Sequence, residues 1–256
     1  MSKQIVVSFF LAITFIFIIT NSIMAENSTK YLPMAKGRFW EYKIEVPKGG
    51  NYLSLRRMLF NDRIVYSTLG QNPLKEGTYT LCYVVKGRTE DPNVWEIKVE
   101  KDTLNLYSNV AKVLWVFGKS DKGIITVTEE LIYTREFAMS YGPSMGMMPA
   151  TKAEGSNLLF FEQPENSNYA IGSGDTQCRY LSSGDSISVP AGTFQNCVVM
   201  AEEVKPSDKP ESSFLPSLGW VTMSTWAPNT GLVQKTQLSA SKKNLWKMQL
   251  TKSGVK

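Results

Sequence analysis

The 256-residue sequence predicts an all-β fold: an antiparallel meander curled into a barrel or half-barrel, following an N-terminal signal helix. Three observations lead there. Apolar and polar residues alternate with a period of two in segment after segment; short stretches rich in Gly, Pro, Asn and Asp separate those segments; and no comparably strong period of 3.6 occurs beyond residue 25. Many strands joined by short polar turns leave exposed edges unless the sheet curls or closes, which is the reason for expecting a barrel-like form.

The N-terminus stands apart. Met1 to Ala25 carries Lys3 as its single charge, then an apolar run from Ile5 to Thr20, then small and polar residues ending at Ala25. That order is the order of an export signal, with cleavage before Glu26. The apolar run is shorter than the roughly 20 residues that span a bilayer, so no stable membrane span is expected after cleavage. No cysteine stands at the cleavage point, which argues against lipid attachment there. The expected location is periplasmic or secreted.

The elements then follow in order. Arg38 to Val46 places Trp40, Tyr42, Ile44 and Val46 on one side and Phe39, Glu41, Lys43 and Glu45 on the other, as a half-buried strand does. Tyr79, Leu81, Tyr83 and Val85 share a face within Thr78 to Lys86, and Trp95, Ile97 and Val99 do so within Val94 to Lys101; Arg88 to Asn93, with Asp91-Pro92, makes the turn between them. Thr103 to Trp115 fits a helix or a strand equally. Ile124 to Arg135 alternates again. The stretch Ser186 to Val204 holds a short strand, a Pro190/Gly192 reversal and a longer strand whose centre, Cys197 to Ala201, is apolar on both faces. Lys205 to Ser217, with Pro206, Pro210 and Pro216, reads as a mobile loop inside the domain, ahead of a strand at Gly219 to Trp226. Asn244 to Thr251 closes the chain with Trp246, Met248 and Leu250 on one side. Residues 26–256 therefore read as a single domain.

Charge and composition exclude several functions. Loss of the signal removes one lysine and no acid, taking the formal charge from +5 to +4. The basic residues are interleaved with acids, as in Glu41-Lys43-Glu45, which is the pattern of a solvated face; a nucleic-acid partner is not expected. The chain has no histidine. A Ser-His-Asp or Cys-His site cannot be assembled from it, nor a His-bearing zinc site. Gly142-Pro143-Ser144-Met145-Gly146 spells a nucleophile elbow by chance, because it lacks the base and the strand-turn-helix setting. Gly118-Lys119-Ser120 lacks the leading glycine of a phosphate loop, where Val113 stands. Glu129-Glu130 and Glu202-Glu203 are adjacent on strands and face opposite ways, so neither pair can flank one bond. No catalytic residue, cofactor or metal is assigned.

Three motifs carry a resemblance. Tyr31-Leu32-Pro33 with Gly37, Trp40 and Tyr42, then Val189-Pro190-Ala191-Gly192-Thr193-Phe194 with Cys197, then Trp226-Ala227-Pro228 with Gly231-Leu232-Val233, are similar to the opening and closing segments of a loose group of exported bacterial β-proteins of unknown function. Leu158 to Pro164 resembles a worn second copy of the opening motif but lacks the Trp that should follow, so an internal repeat is not assigned. The resemblance implies an antiparallel sheet wrapped into a half-barrel, reminiscent of periplasmic lipoprotein carriers, and implies no activity.

Cysteines and methionines leave alternatives open. Cys178 and Cys197 form a pair only if the segment between their strands lies outside the sheet; in a three-strand meander of Asp175 to Leu181, Ser186 to Val189 and Phe194 to Val204 they stand too far apart. Cys82 reads as a free, partly buried thiol. Met145, Met147 and Met148, with Met139, make a Met-rich loop that serves as an apolar lid, as core packing, or as a thioether site for cuprous ion. Trp40, Tyr42, Tyr79, Tyr83, Trp95 and Trp246 lie on the apolar faces of their strands. In a curled sheet they point to one concave side, where they either fill a core or line a groove. Together with the Met loop they are the candidate ligand-binding residues. The expected function is an exported, non-catalytic binding protein for a lipid, another hydrophobic ligand or an envelope protein; the alternative is a structural or surface-interaction module with a filled core.

Overall fold

A computed structural model describes residues 30–48, 76–105, 107–119, 125–136, 152–155, 168–171, 176–204, 220–239 and 244–256. They form twelve strands: β1 (Arg38–Val46), β2 (Gly77–Arg88), β3 (Val94–Asp102), β4 (Val110–Lys119), β5 (Ile125–Tyr133), β6 (Lys152–Gly155), β7 (Asn168–Ile171), β8 (Thr176–Val189), β9 (Gly192–Val204), β10 (Trp220–Ala227), β11 (Gly231–Ser239) and β12 (Asn244–Val255). All belong to one antiparallel sheet in the order β6-β5-β4-β3-β2-β1-β12-β11-β10-β9-β8-β7. Each strand is therefore paired with its neighbours in sequence except β6 with β7, and β1 pairs with β12. This is the connectivity of an up-and-down barrel with one seam, between β6 and β7, left unpaired among the described residues. The strands flanking that seam are four residues each, the short length that blunts a sheet edge.

The sheet is strongly curled. β1 and β4 are three strand spacings apart, about 14 Å on a flat sheet, yet the rings of Trp40 and Trp115 lie 5.8 Å apart, centroid to centroid. Trp40 Nε1 donates to the Thr230 carbonyl at 2.5 Å and Tyr42 Oη to the Leu232 carbonyl at 3.1 Å, both reaching over β12. On the other flank, the β8–β9 hairpin turns through Pro190 and Ala191, with Gly192 at φ +133°. Its tip folds back so that the Ala191 amide donates to the Leu250 carbonyl of β12 at 3.0 Å. The concave side is thereby buried.

These contacts give the three motifs a shared structural role. Lys30, just before Tyr31, accepts from the Asn229 amide through its carbonyl, and Arg38 donates to the Asn229 carbonyl at 2.8 Å. Leu32 is buried. The opening motif is thus knotted to the β10–β11 turn, and the hairpin motif to β12. Gly231 shows why one position tolerates no side chain: its φ is +110°, and a Cβ there would stand 2.9 Å from Trp40 Nε1. Gly231→Ala is expected to cost about 2 kcal/mol, read as a lower midpoint in urea; an unchanged midpoint would contradict the Trp40 packing described here.

Two expectations change. Ser186 to Val189 is the end of β8, a 14-residue strand that pairs with β9 along its length through three register shifts, so the three strands expected within residues 175–204 are a two-strand hairpin. Cys178 stands opposite Glu202 and Cys197 opposite Asp185. The five-residue offset is about 16 Å along the hairpin, far beyond disulfide reach, and Cys197 is a free, buried thiol. Cys82 is free and fully rather than partly buried. The ambiguous segment resolves into a turn followed by β4. The signal segment 1–25, the loop 205–217, the segment 158–164 and Met139, Met145, Met147 and Met148 lie outside the described residues.

Candidate binding cleft

The register places Trp40 opposite Tyr83, Tyr42 opposite Leu81 and Leu250, Ile44 opposite Tyr79 and Met248, and Trp95 opposite Trp115. Residues directly opposite share a face, so these aromatics sit together on the concave side. They are spent on packing: Trp40, Tyr42, Tyr83, Trp115 and Trp246 are at most 1 % exposed, Trp95 is 9 % exposed, and Tyr79 is half-buried against the core. Trp246 Nε1 donates to Gln237 Oε1 at 2.9 Å, so even its polar atom is engaged within the interior. The described part of the concave side is a filled core.

An open cavity lies elsewhere, where β3 and β4 part. Their pairing runs from Val94↔Val116 to Ile97↔Val113 and stops. Past that point β3 continues to Asp102, and β4 has already run from Val110. The connecting turn is folded inward. Asp102 Oδ2 accepts from the Tyr107 amide at 2.7 Å, the Asp102 carbonyl accepts from the Asn105 amide at 3.2 Å, and Asn105 adopts φ +58°. Leu104 and Tyr107 are buried as a result. The strands cannot rejoin with this turn between them, and a cleft of about 440 Å³ is left, within the range of ligand sites. Ile97, Val99, Val113 and Tyr107 line it from the concave side; Lys86, Lys98, Lys112 and Glu96 line it from the outer surface.

Beneath the cleft is a buried polar chain. Tyr83 and Tyr107 share a hydrogen bond between hydroxyls at 2.8 Å, and Glu129 Oε1 accepts from Tyr107 Oη at 3.3 Å and from Trp115 Nε1 at 3.4 Å. Glu129 is fully buried. Burial, then the charge of Glu129, holds the Tyr107 phenol well above its ordinary range; burial, then Tyr107, does the same for Tyr83. Sequence pairing of Glu129 with Glu130 gave no hint of this, because the partners come from β2, β4 and the 103–109 turn. Burial also raises both described thiols, Cys82 and Cys197, which disfavours their reactive thiolate form. Among the described residues no group of three or more His, Cys, Asp or Glu side chains could hold a metal, and no helix is long and apolar enough to cross a membrane.

No family model and no curated protein matches the chain. Two solved structures are similar to it. One is a candidate lipoprotein from Parabacteroides distasonis, 14 % identical, with a TM-score of 0.41 over 88 % of this chain and 98 % of that one. The other is a candidate exported protein with a YmcC-like fold from Bacteroides fragilis, 12 % identical, with a TM-score of 0.40 over 88 % of this chain and 99 % of that one.

Proposed function

We propose that the chain is an exported, non-catalytic binding protein for a hydrophobic ligand or a cell-envelope component, acting in the periplasm or outside the cell. The observation that carries the reading is the cleft at the β3–β4 parting. It joins an apolar wall to a charged rim, whereas the concave side that the aromatic pattern favoured is occupied by its own side chains. The signal-like segment 1–25 supports the location. Absence of histidine supports binding over catalysis, and of the Tyr83–Tyr107–Glu129 chain only Tyr107 reaches the cleft, with its hydroxyl bonded to Tyr83 and Glu129 beneath it. A second reading, a purely structural module, is favoured by one observation: all three motifs are used to hold the sheet curled.

The test separates the two. Isotope-labelled mature protein is titrated with palmitate, with a lysophospholipid below its micellar concentration and with short extended peptides. Binding predicts amide shifts at Val99, Ala111, Lys112 and Val113, with Trp246 and Met248 unmoved. No shift at the cleft with any probe would leave the structural module.

A further inference from the structure

Resting on the cleft as the recognition surface, we propose that its occupant is an extended peptide, added as a short strand along β3, in which apolar residues alternate with acidic ones. The first argument is the backbone. On its β2 side, β3 is paired from Trp95 to Asp102, with Lys98 opposite Val84, Val99 opposite Tyr83 and Lys101 opposite Cys82, through two register shifts, one of them at Glu100. On its β4 side the ladder ends at Ile97. The Asp102 carbonyl is taken by Asn105, but the groups of Lys98 to Lys101 directed at the parting have no strand beside them. Such a row is a template for strand addition, in which main-chain hydrogen bonds hold the guest. An acyl chain would displace water from those groups and offer no hydrogen bonds in its place, which is costly.

The second argument is the pair of walls. An added strand directs successive side chains to opposite faces. One set would meet Ile97, Val99 and Val113; the other would meet Lys86, Lys98 and Lys112. Lys112 is paired with Glu96 at 3.0 Å and Lys98 with Glu100 at 3.3 Å, while Lys86 has no ion pair among the described residues. On the outer rim Lys86 is left as the positive charge without an ion pair, which an acidic guest residue complements, while the lining carboxylate of Asp102 stands opposite Leu81 on the concave face.

The experiment uses the mature chain and the capped peptide acetyl-Val-Glu-Val-Asp-Val-Glu-amide. Binding is expected to slow hydrogen exchange at amides within Lys98–Lys101. Lysine in place of the acidic residues should weaken it at least tenfold, and Lys86→Glu should do likewise. N-methylation should also read out parity: methyl groups on alternate residues facing β3 abolish binding, and those on the intervening residues are tolerated more than tenfold better. Palmitate shifting the cleft amides while the peptide does not would overturn the peptide and keep the binding reading. Silence from both would overturn both. Peptide binding with no dependence on N-methyl position would overturn strand addition.

Discussion

Trp40→Ala is expected to lower the unfolding free energy by about 4 kcal/mol, the middle of the range for removing a large buried aromatic. The indole is 1 % exposed, packs against Trp115 at 5.8 Å and donates to the Thr230 carbonyl. Truncation therefore leaves a cavity between two strands that only curvature has brought together, and it also strips the turn carbonyl of its donor. Trp40→Phe keeps most of the ring volume and loses the donor, so about 1 kcal/mol is expected from the unmade bond. Trp95→Ala is the control for position in the sheet. Trp95 sits 9 % exposed beneath the Arg88 guanidinium at 4.8 Å, and its loss is met partly by water, so a smaller cost is expected. Urea denaturation followed by far-UV dichroism ranks the three. If Trp40→Ala cost no more than Trp95→Ala, Trp40 would not be the point at which β1, β4 and the β10–β11 turn converge. With whole-domain stabilities of roughly 5–15 kcal/mol, the truncated protein is expected to stand near the limit of folding.

What the sequence disclosed follows from which interactions are local. β1 is found at the residues its alternation marks, Arg38 to Val46, because its two faces differ sharply: Tyr42 and Ile44 are buried, while Lys43 and Glu45 pair with each other at 2.5 Å on the outer surface. β8 was concealed for the opposite reason. Ser182-Ser183-Gly184-Asp185 has the composition of a turn, yet it is a bulged stretch of strand in which Gly184 takes φ +86° and Ser182 bonds Asp185. The shared face of the six aromatics was legible from parity alone. Whether that face is a groove or a core was not, since the answer depends on the pairing of β1 with β12, some 200 residues away in sequence, and on the hairpin tip reaching Leu250. The cleft left even less trace: it arises where two strands fail to pair, and its local sign is the polar run Asn105, Ser108 and Asn109 ahead of β4, which marks a turn without saying that the turn is folded inward.

Stability is expected to fall steeply above pH 10. Tyr42, Tyr83 and Tyr107 are buried as neutral phenols, with burial raising all three above the ordinary tyrosine value of about 10. In the unfolded chain they ionise near that value. Between the unfolded and folded values the unfolded state holds fewer protons, so raising the pH draws the equilibrium toward it. Below pH 10 both states are protonated and the full stabilisation is present; above it, each tyrosine contributes a loss of about 1.4 kcal/mol per pH unit, and the three together about 4. Lys101 and Lys256, kept protonated chiefly by their hydrogen bonds to Glu41 and Glu100 on the outer surface, act in the same direction. Tyr83→Phe removes one of the three sites and should reduce the slope by about a third, while costing the hydroxyl bond to Tyr107. Denaturant midpoints at half-unit steps from pH 8 give the slope, and tyrosinate absorbance gives the state of the phenols. The expected pattern is that ionisation of these three appears together with unfolding. Tyrosinate forming near pH 10 in all eleven tyrosines with no loss of stability would show that the concave side admits water, and the filled core would have to be abandoned.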